Sequence, residues 1–103
     1  MKNRLDLHKF FQDILGSKNV YFQPPESIKM KYPAIRYSLD DIDKLSGDNI
    51  AYAKTNRYNV IVISDDPDYS IEIVHKILDL PLSSYDRHYV SNNLNHDSIS
   101  LYF

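Results

Sequence analysis

The side chains best suited to chemistry lie near the end of the chain, around an asparagine-rich segment. Two aspartates and two histidines occur there, Asp86, His88, His96 and Asp97. Two imidazoles and a carboxylate can bind zinc, and the same groups can carry out acid–base steps if the chain brings them together. One hypothesis is therefore a small metal-dependent hydrolase that uses His88, His96 and Asp97.

The spacing of these residues favours a structural role for the segment instead. Structural zinc needs four ligands, and closeness in sequence does not supply the hydrogen bonds that orient the ligands of a catalytic metal. Asparagine and aspartate side chains commonly hydrogen-bond the local backbone in turns. The turn would be held by Asn92, Asn93, Asn95 and Asp97. We expect no catalytic residue, no metal and no cofactor in this protein.

Other enzyme classes lack their characteristic residues. The chain has no cysteine, which excludes disulfides, thiolate metal sites and cysteine nucleophiles. Its two glycines, Gly16 and Gly47, are too far apart for a Walker loop or a dinucleotide fingerprint. His8 and His75 fall on predicted helices and have no evident nucleophile partner, so both are interpreted as packing residues.

Length and charge limit the class of protein further. A chain of 103 residues is expected to form one domain, residues 1–103, with a single two-layer core. The 12 basic and 14 acidic residues give a net charge of −2, which disfavours binding to nucleic acid. The sequence also lacks the run of about 18 apolar residues that a membrane span needs, so a soluble protein is predicted.

Hydrophobic periodicity predicts two helices and a mostly antiparallel sheet. Apolar residues at helical spacing, with Asn3 before them and Gly16 after them, predict a helix over residues 4–15. Asp65-Asp66-Pro67-Asp68 is expected to start a second helix, and Leu80-Pro81 to stop it. Its expected apolar stripe is Ile71, Val74, His75 and Leu78, widened by Ile73 and Ile77. The predicted strands are residues 20–22, 34–39, 50–53, 57–64, 85–90 and 98–103. This order indicates an α+β fold with both helices on one face of the sheet.

An acidic segment, residues 40–48, interrupts the strand pattern and is predicted to be a loop. It holds Asp40, Asp41, Asp43 and Asp48 against a single lysine. Such a segment is usually a solvated connection. The alternative is that it contacts the basic residues Lys54 and Arg57 of a neighbouring subunit in a head-to-tail ring.

Several stretches of the chain together resemble a group of bacteriophage proteins. They are residues 15–17, which end the first helix, residues 19–25, the Tyr-Pro-Ala-Ile-X-Tyr strand at residues 32–37, and residues 86–89 and 94–97 near the end. In element order over nearly the whole chain, this pattern is similar to the tail-terminator, or tail-completion, proteins of long-tailed bacteriophages. The resemblance is one of architecture more than of motif.

The resemblance implies a structural virion protein without cofactor or turnover. Members of that family form a hexameric ring that caps the tail tube and meets the head connector. The implied partners are therefore further copies of the chain, the tail tube protein and the connector, at the head–tail joint of a virion made in the bacterial cytoplasm. Two alternatives stay open beside the hydrolase: a head-closure protein of the same joint, and a binding module such as an inhibitor of a host protein.

Overall fold

The computed structural model describes residues 3–44 and 54–103 of the chain. Two helices and five strands follow one another in the order α1 (Arg4–Leu15), β1 (Val20–Phe22), β2 (Ala34–Lys44), β3 (Lys54–Ser64), α2 (Pro67–Leu78), β4 (Ser83–Ser91) and β5 (Leu94–Tyr102).

The strands form one sheet in the order β1-β2-β3-β5-β4. Strand β1 pairs with β2 in parallel, and every other pairing in this sheet is antiparallel. The antiparallel pairs β2–β3 and β4–β5 join strands that are neighbours in sequence, as short connections favour. The predicted α+β fold with a mostly antiparallel sheet is confirmed.

Both helices begin at their predicted capping residues, and α1 also ends at its predicted one. Asn3 accepts a hydrogen bond from the Asp6 amide while the Asp6 carboxylate accepts one from the Asn3 amide, which is a capping box, and Gly16 ends α1 in the left-handed conformation at φ 72°. Asp66 caps α2, with Pro67 at its first position. The predicted helix over residues 4–15 is therefore confirmed.

The two helices cover the same face of the sheet. Strand alternation turns Ile35, Tyr37, Val60, Val62 and Ile99 towards them, and each of these residues is at most 1% exposed. The main residues that the helices and the remaining strands add to this core are Leu7, Phe11, Leu15, Val20, Tyr58, Ile73, Val74, Ile77 and Leu101. The position of both helices agrees with the sequence prediction.

The apolar stripe predicted for α2 is correct for Ile73, Val74 and Ile77 but wrong for Ile71 and His75. Ile73, Val74 and Ile77 face the core, whereas Ile71 is 50% exposed and His75 is also exposed. The apolar residues of α2 occupy more than one face, so periodicity alone did not specify which face would be buried. The helix is oriented so that the small Ser70 is buried together with Ile73 and Ile77, and Ile71 lies at the edge of this buried face.

Strands β2 and β3 are longer than predicted. Residues Asp40 to Lys44 continue β2 past a bulge between Leu39 and Asp41 instead of forming a loop, and β3 already begins at Lys54. Alternation over residues 34–39 puts Leu39 on the same face as Ile35 and Tyr37, which predicts burial, but Leu39 is 42% exposed. Polar sequence misled the prediction here because β2 continues through the exposed residues Asp40, Asp41 and Ile42. The predicted strand at residues 50–53 lies outside the described residues.

The turn near the end of the chain is also shorter than predicted. Asn92 and Asn93 form it, at φ 54° and 62°, and β5 begins directly afterwards at Leu94. Asparagine is among the residues that most readily adopt positive φ, which a two-residue hairpin turn requires. Asn95 and Asp97 are therefore strand residues. The prediction that they hold the turn was wrong.

Candidate functional site

Asp97 is the centre of a small polar cluster on the helix-covered face of the sheet. The β4–β5 register places it opposite His88, with Tyr85 further along β4. Its Oδ1 atom lies 2.7 Å from the Tyr85 hydroxyl and 2.8 Å from His88 Nδ1. Because a carboxylate oxygen accepts, the His88 proton is placed on Nδ1 and both neighbours donate to Asp97.

The electrostatics of the cluster follow from burial. Asp97 is 2% exposed, and its second oxygen, Oδ2, is buried without a hydrogen-bond partner. Burial raises the pKa of Tyr85 to about 12, and the hydrogen bond to the Asp97 carboxylate and the negative charge of that carboxylate act in the same direction. Tyr85 is therefore a hydrogen-bond donor throughout the physiological range.

The structure does not bring His96 to this cluster. Neighbouring strand residues point to opposite faces, so His96 lies on the uncovered face, where its ring stacks on Tyr89 at a centroid distance of 4.8 Å. Asp86, at the β4 bulge, instead accepts a hydrogen bond from Ser100. Within residues 3–44 and 54–103, no three acidic or histidine side chains are placed to hold a metal ion. The ligand set of the hydrolase hypothesis is thus divided between two faces.

Three of the predicted interface residues, Asp40, Asp41 and Arg57, lie where β2 and β3 leave the body of the sheet. Arg57 Nε lies 2.9 Å from Asp40 Oδ2, and its NH2 atom lies 3.6 Å from Asp41 Oδ2, all within one chain. A hydrogen bond with Tyr102 raises the pKa of Arg57 above its usual value, as does the neighbouring Asp40, although desolvation opposes them. The sequence predicted that these charges pair, but between subunits, and that contact stays a prediction.

The remaining interface residues are only partly placed. Asp43 pairs with Thr55 across β2 and β3, and Lys44 pairs with Lys54, so Asp43 and Lys54 lie on adjacent strands. Asp48 lies outside the described residues. The charge pattern of the sequence indicated that these residues could pair. The lengths of β2 and β3, which decide where the residues lie, were not evident from the sequence.

A two-stranded extension is the most prominent surface feature. Strand β5 pairs with β3 as far as Arg57, and the Phe103 amide donates to the Asn56 carbonyl. Beyond this point β2 and β3 continue as a two-stranded extension, with Ile42 to Lys44 opposite Lys54 to Asn56. The molecule measures 51 Å along its longest axis and only 25 and 23 Å across it. Ile42 on this extension is 54% exposed.

The uncovered face of the sheet is largely polar, with one aromatic cluster at its edge. The Arg87 guanidinium lies over the Tyr89 ring at 4.9 Å, and Tyr89 in turn stacks on His96. At the opposite side of this face, a cavity of about 430 Å³ lies between residues 23–30 and β2, where Arg36 and Ser38 line it. Sequence reasoning found neither feature, because both depend on which strands become neighbours.

Comparison with known proteins yields a structural match. No family model matches the chain, and no curated protein matches its sequence. A solved structure described as "Virion of native gene transfer agent (GTA) particle" contains a chain of similar fold, with a TM-score of 0.54 and 12% identity. The match covers 89% of this chain and 81% of that one. In the described part of the chain, no helix has the length and apolar character needed to cross a membrane.

Proposed function

We propose that this protein is a structural component of a phage-type virion, and that it closes the tail tube as a hexameric ring at the joint with the head. The observation that carries the proposal is the similarity of fold, over 89% of the chain, to a chain from a gene transfer agent virion. The resemblance of the sequence to tail-terminator proteins supports the same assignment. Its partners would be its own copies, the tail tube protein and the head–tail connector.

The geometry of the polar cluster supports a role without turnover. Asp97 is almost completely buried, and its Oδ1 already accepts from Tyr85 and His88. His96, the other histidine of the hydrolase hypothesis, lies on the opposite face. A hydrolytic site needs an accessible nucleophile or metal-bound water beside its acid and base, and this arrangement does not provide one.

The two-stranded extension supports assembly into a ring. It projects beyond the helices, carries the exposed Ile42, and presents Asp40, Asp41 and Arg57 at its base. These acidic and basic groups can pair with an adjacent copy of the chain, either with its own extension or with a different surface. A head-to-tail contact repeated around a closed ring is the simplest arrangement in which every copy uses both surfaces.

The interface is tested with a double charge reversal, Asp40→Lys with Asp41→Lys, expressed in a phage that lacks its own copy of the gene. We expect capped tails to be lost because Arg57 of the adjacent copy would then meet like charge, and we expect the added change Arg57→Asp to restore them. The matched control, Asp13→Lys with Glu72→Lys, makes the same change in net charge on exposed helix positions.

The charge-reversed variant is measured both for folding and for its ability to cap tails. The pairs seen within the chain are exposed, so their loss should have little effect on the stability of the fold, and denaturation experiments must show that the reversed variant folds. If the folded variant still caps tails as the wild type does, the predicted contact between subunits is wrong.

The role in the virion is tested by electron microscopy of lysates in which this gene alone is disabled. Filled heads beside separate, abnormally long tails are the expected result for a tail terminator. Emptied heads beside tails of normal length would assign the protein to head closure, on the capsid side of the joint. Intact infectious particles would contradict both virion roles and favour a binding module.

A further inference from the structure

A groove beside the Asp97 cluster has the composition of a binding site. It has a volume of about 230 Å³, well above the ~15 Å³ that a single water molecule requires. Helix α2 forms one wall and strands β4 and β5 the other, and the lining residues are Ile71, Val74, His75, Leu78, Tyr85 and Asp97. The walls are mostly apolar, and the one carboxylate among the lining residues belongs to Asp97.

That carboxylate is only half satisfied. Both donors within the chain, Tyr85 and His88, converge on Oδ1, and Oδ2 is buried with no hydrogen-bond partner. A buried acceptor left without a donor is costly, and a buried anionic one more so. A ligand that brings one hydrogen-bond donor and a positive charge would remove this cost.

The geometry also selects the kind of cation. An arginine guanidinium binds a carboxylate best through two parallel hydrogen bonds that use both oxygens. Here Oδ1 is already occupied, so Asp97 offers one free oxygen, which suits the compact ammonium group of a lysine. The apolar walls at Ile71 and Leu78 suit the methylene stem that leads to such a group.

The geometry points to a lysine side chain of a partner protein as the occupant of this groove, with its ammonium group on Asp97 Oδ2 and its stem against Ile71 and Leu78. Ile71 is 50% exposed at the mouth of the groove, so it can contact the partner backbone from which the lysine extends. The site depends on these local contacts alone, and it can exist whether or not the proposed virion role is correct.

The test uses n-butylammonium as a probe of the lysine side chain, and n-butanol as its uncharged counterpart of similar shape. Methyl and amide NMR signals of Ile71, Leu78 and Asp97 are followed during titration of each compound. We expect saturable shifts with butylammonium and an affinity at least about tenfold higher than for butanol, since hydrogen bonds to charged groups are the stronger class. Equal affinity would overturn the proposal in favour of a purely apolar occupant, and so would the absence of binding.

Two variants locate the binding. Asp97→Asn should abolish the preference for butylammonium over butanol, and a preference that survives in this variant would overturn the role of the carboxylate. Should Asp97→Asn fail to fold, Ile71→Ala decides instead, because it removes an exposed side chain from the wall of the groove. Ile71→Ala should weaken butylammonium binding, whereas the matched control Leu5→Ala, an exposed leucine on α1, should leave it unchanged. Equal binding to both alanine variants would overturn the assignment to this groove.

Discussion

The Tyr37 hydroxyl joins helix α1 to the centre of the sheet, and its removal should have a measurable cost. Tyr37 is 1% exposed, and its ring packs edge-on against Phe11 at 5.2 Å between centroids. Its hydroxyl oxygen lies 3.3 Å from Arg4 Nη1 and 2.7 Å from His8 Nδ1. Arg4 donates to this oxygen, and His8 Nδ1 shares a second hydrogen bond with the hydroxyl, so the three groups form one chain of hydrogen bonds.

The change Tyr37→Phe removes both hydrogen bonds and keeps the ring. A net hydrogen bond contributes about 0.5–1.5 kcal/mol, and more when one partner is charged. Arg4 and His8 are half-buried, so both can recover part of the loss by contact with water. No cavity forms, since the aromatic contacts remain. We therefore expect the free energy of unfolding to fall by about 1–2 kcal/mol.

Urea denaturation at neutral pH measures this loss. The transition midpoint should decrease while its slope with urea stays unchanged, because the surface exposed on unfolding is the same. Tyr32→Phe is the matched control, since Tyr32 is 42% exposed, and it should lie within about 0.5 kcal/mol of the wild type. A Tyr37→Phe variant as stable as this control would refute the reasoning.

The same chain of hydrogen bonds predicts a pH dependence. Burial lowers the pKa of His8 below its ordinary value of 6.5, and the charge of Arg4 lowers it further. The unfolded chain therefore takes up a proton at His8 before the folded protein does, so stability falls as pH decreases through and below 6.5. In His8→Gln this loss should be smaller. Identical stability–pH curves for the variant and the wild type would contradict the prediction.

Three further predictions concern single groups. Gly16→Ala should destabilise the protein by about 1 kcal/mol, and Gly16→Asn by less, because this position requires the left-handed conformation and asparagine tolerates it better. An added Cβ meets nothing within 4 Å. Equal losses of stability for the two variants in calorimetry would therefore exclude backbone strain as the cause. Asp66→Ala should cost about 1 kcal/mol in urea denaturation by removing the α2 cap, and no loss would mean that the cap is replaced by water. Tyr85 should ionise near pH 12 in ultraviolet difference titration against Tyr85→Phe. The stability of the fold should decline as pH rises from the ordinary tyrosine pKa of about 10 towards that value. A titration midpoint near 10 would show that the contact between Tyr85 and Asp97 is not maintained.

The helices and the fold class could be predicted because their signals are local. Asn3 and Gly16 bound α1 through hydrogen bonds and a backbone conformation that involve only adjacent turns, and Asp66 with Pro67 does the same for the start of α2. Alternation over residues 34–39 likewise puts Ile35, Tyr37 and Leu39 on one face, and the first two are buried.

The buried face of α2 and the composition of the polar cluster required the folded chain. The predicted stripe of α2 included Ile71 and His75, which are exposed, and omitted Ser70, which is buried. The register of β4 and β5 joined His88 to Asp97 and turned His96 to the opposite face.

Local residue types thus specified where the helices start and stop, because capping and backbone conformation act over a few residues. Which side chains meet across the sheet depended on strand order and register, because a shift of one residue moves every side chain of a strand to the other face. Asp97 illustrates both levels: its residue type marked it as a candidate for chemistry, and its buried, half-satisfied carboxylate became visible only after β5 was placed between β3 and β4.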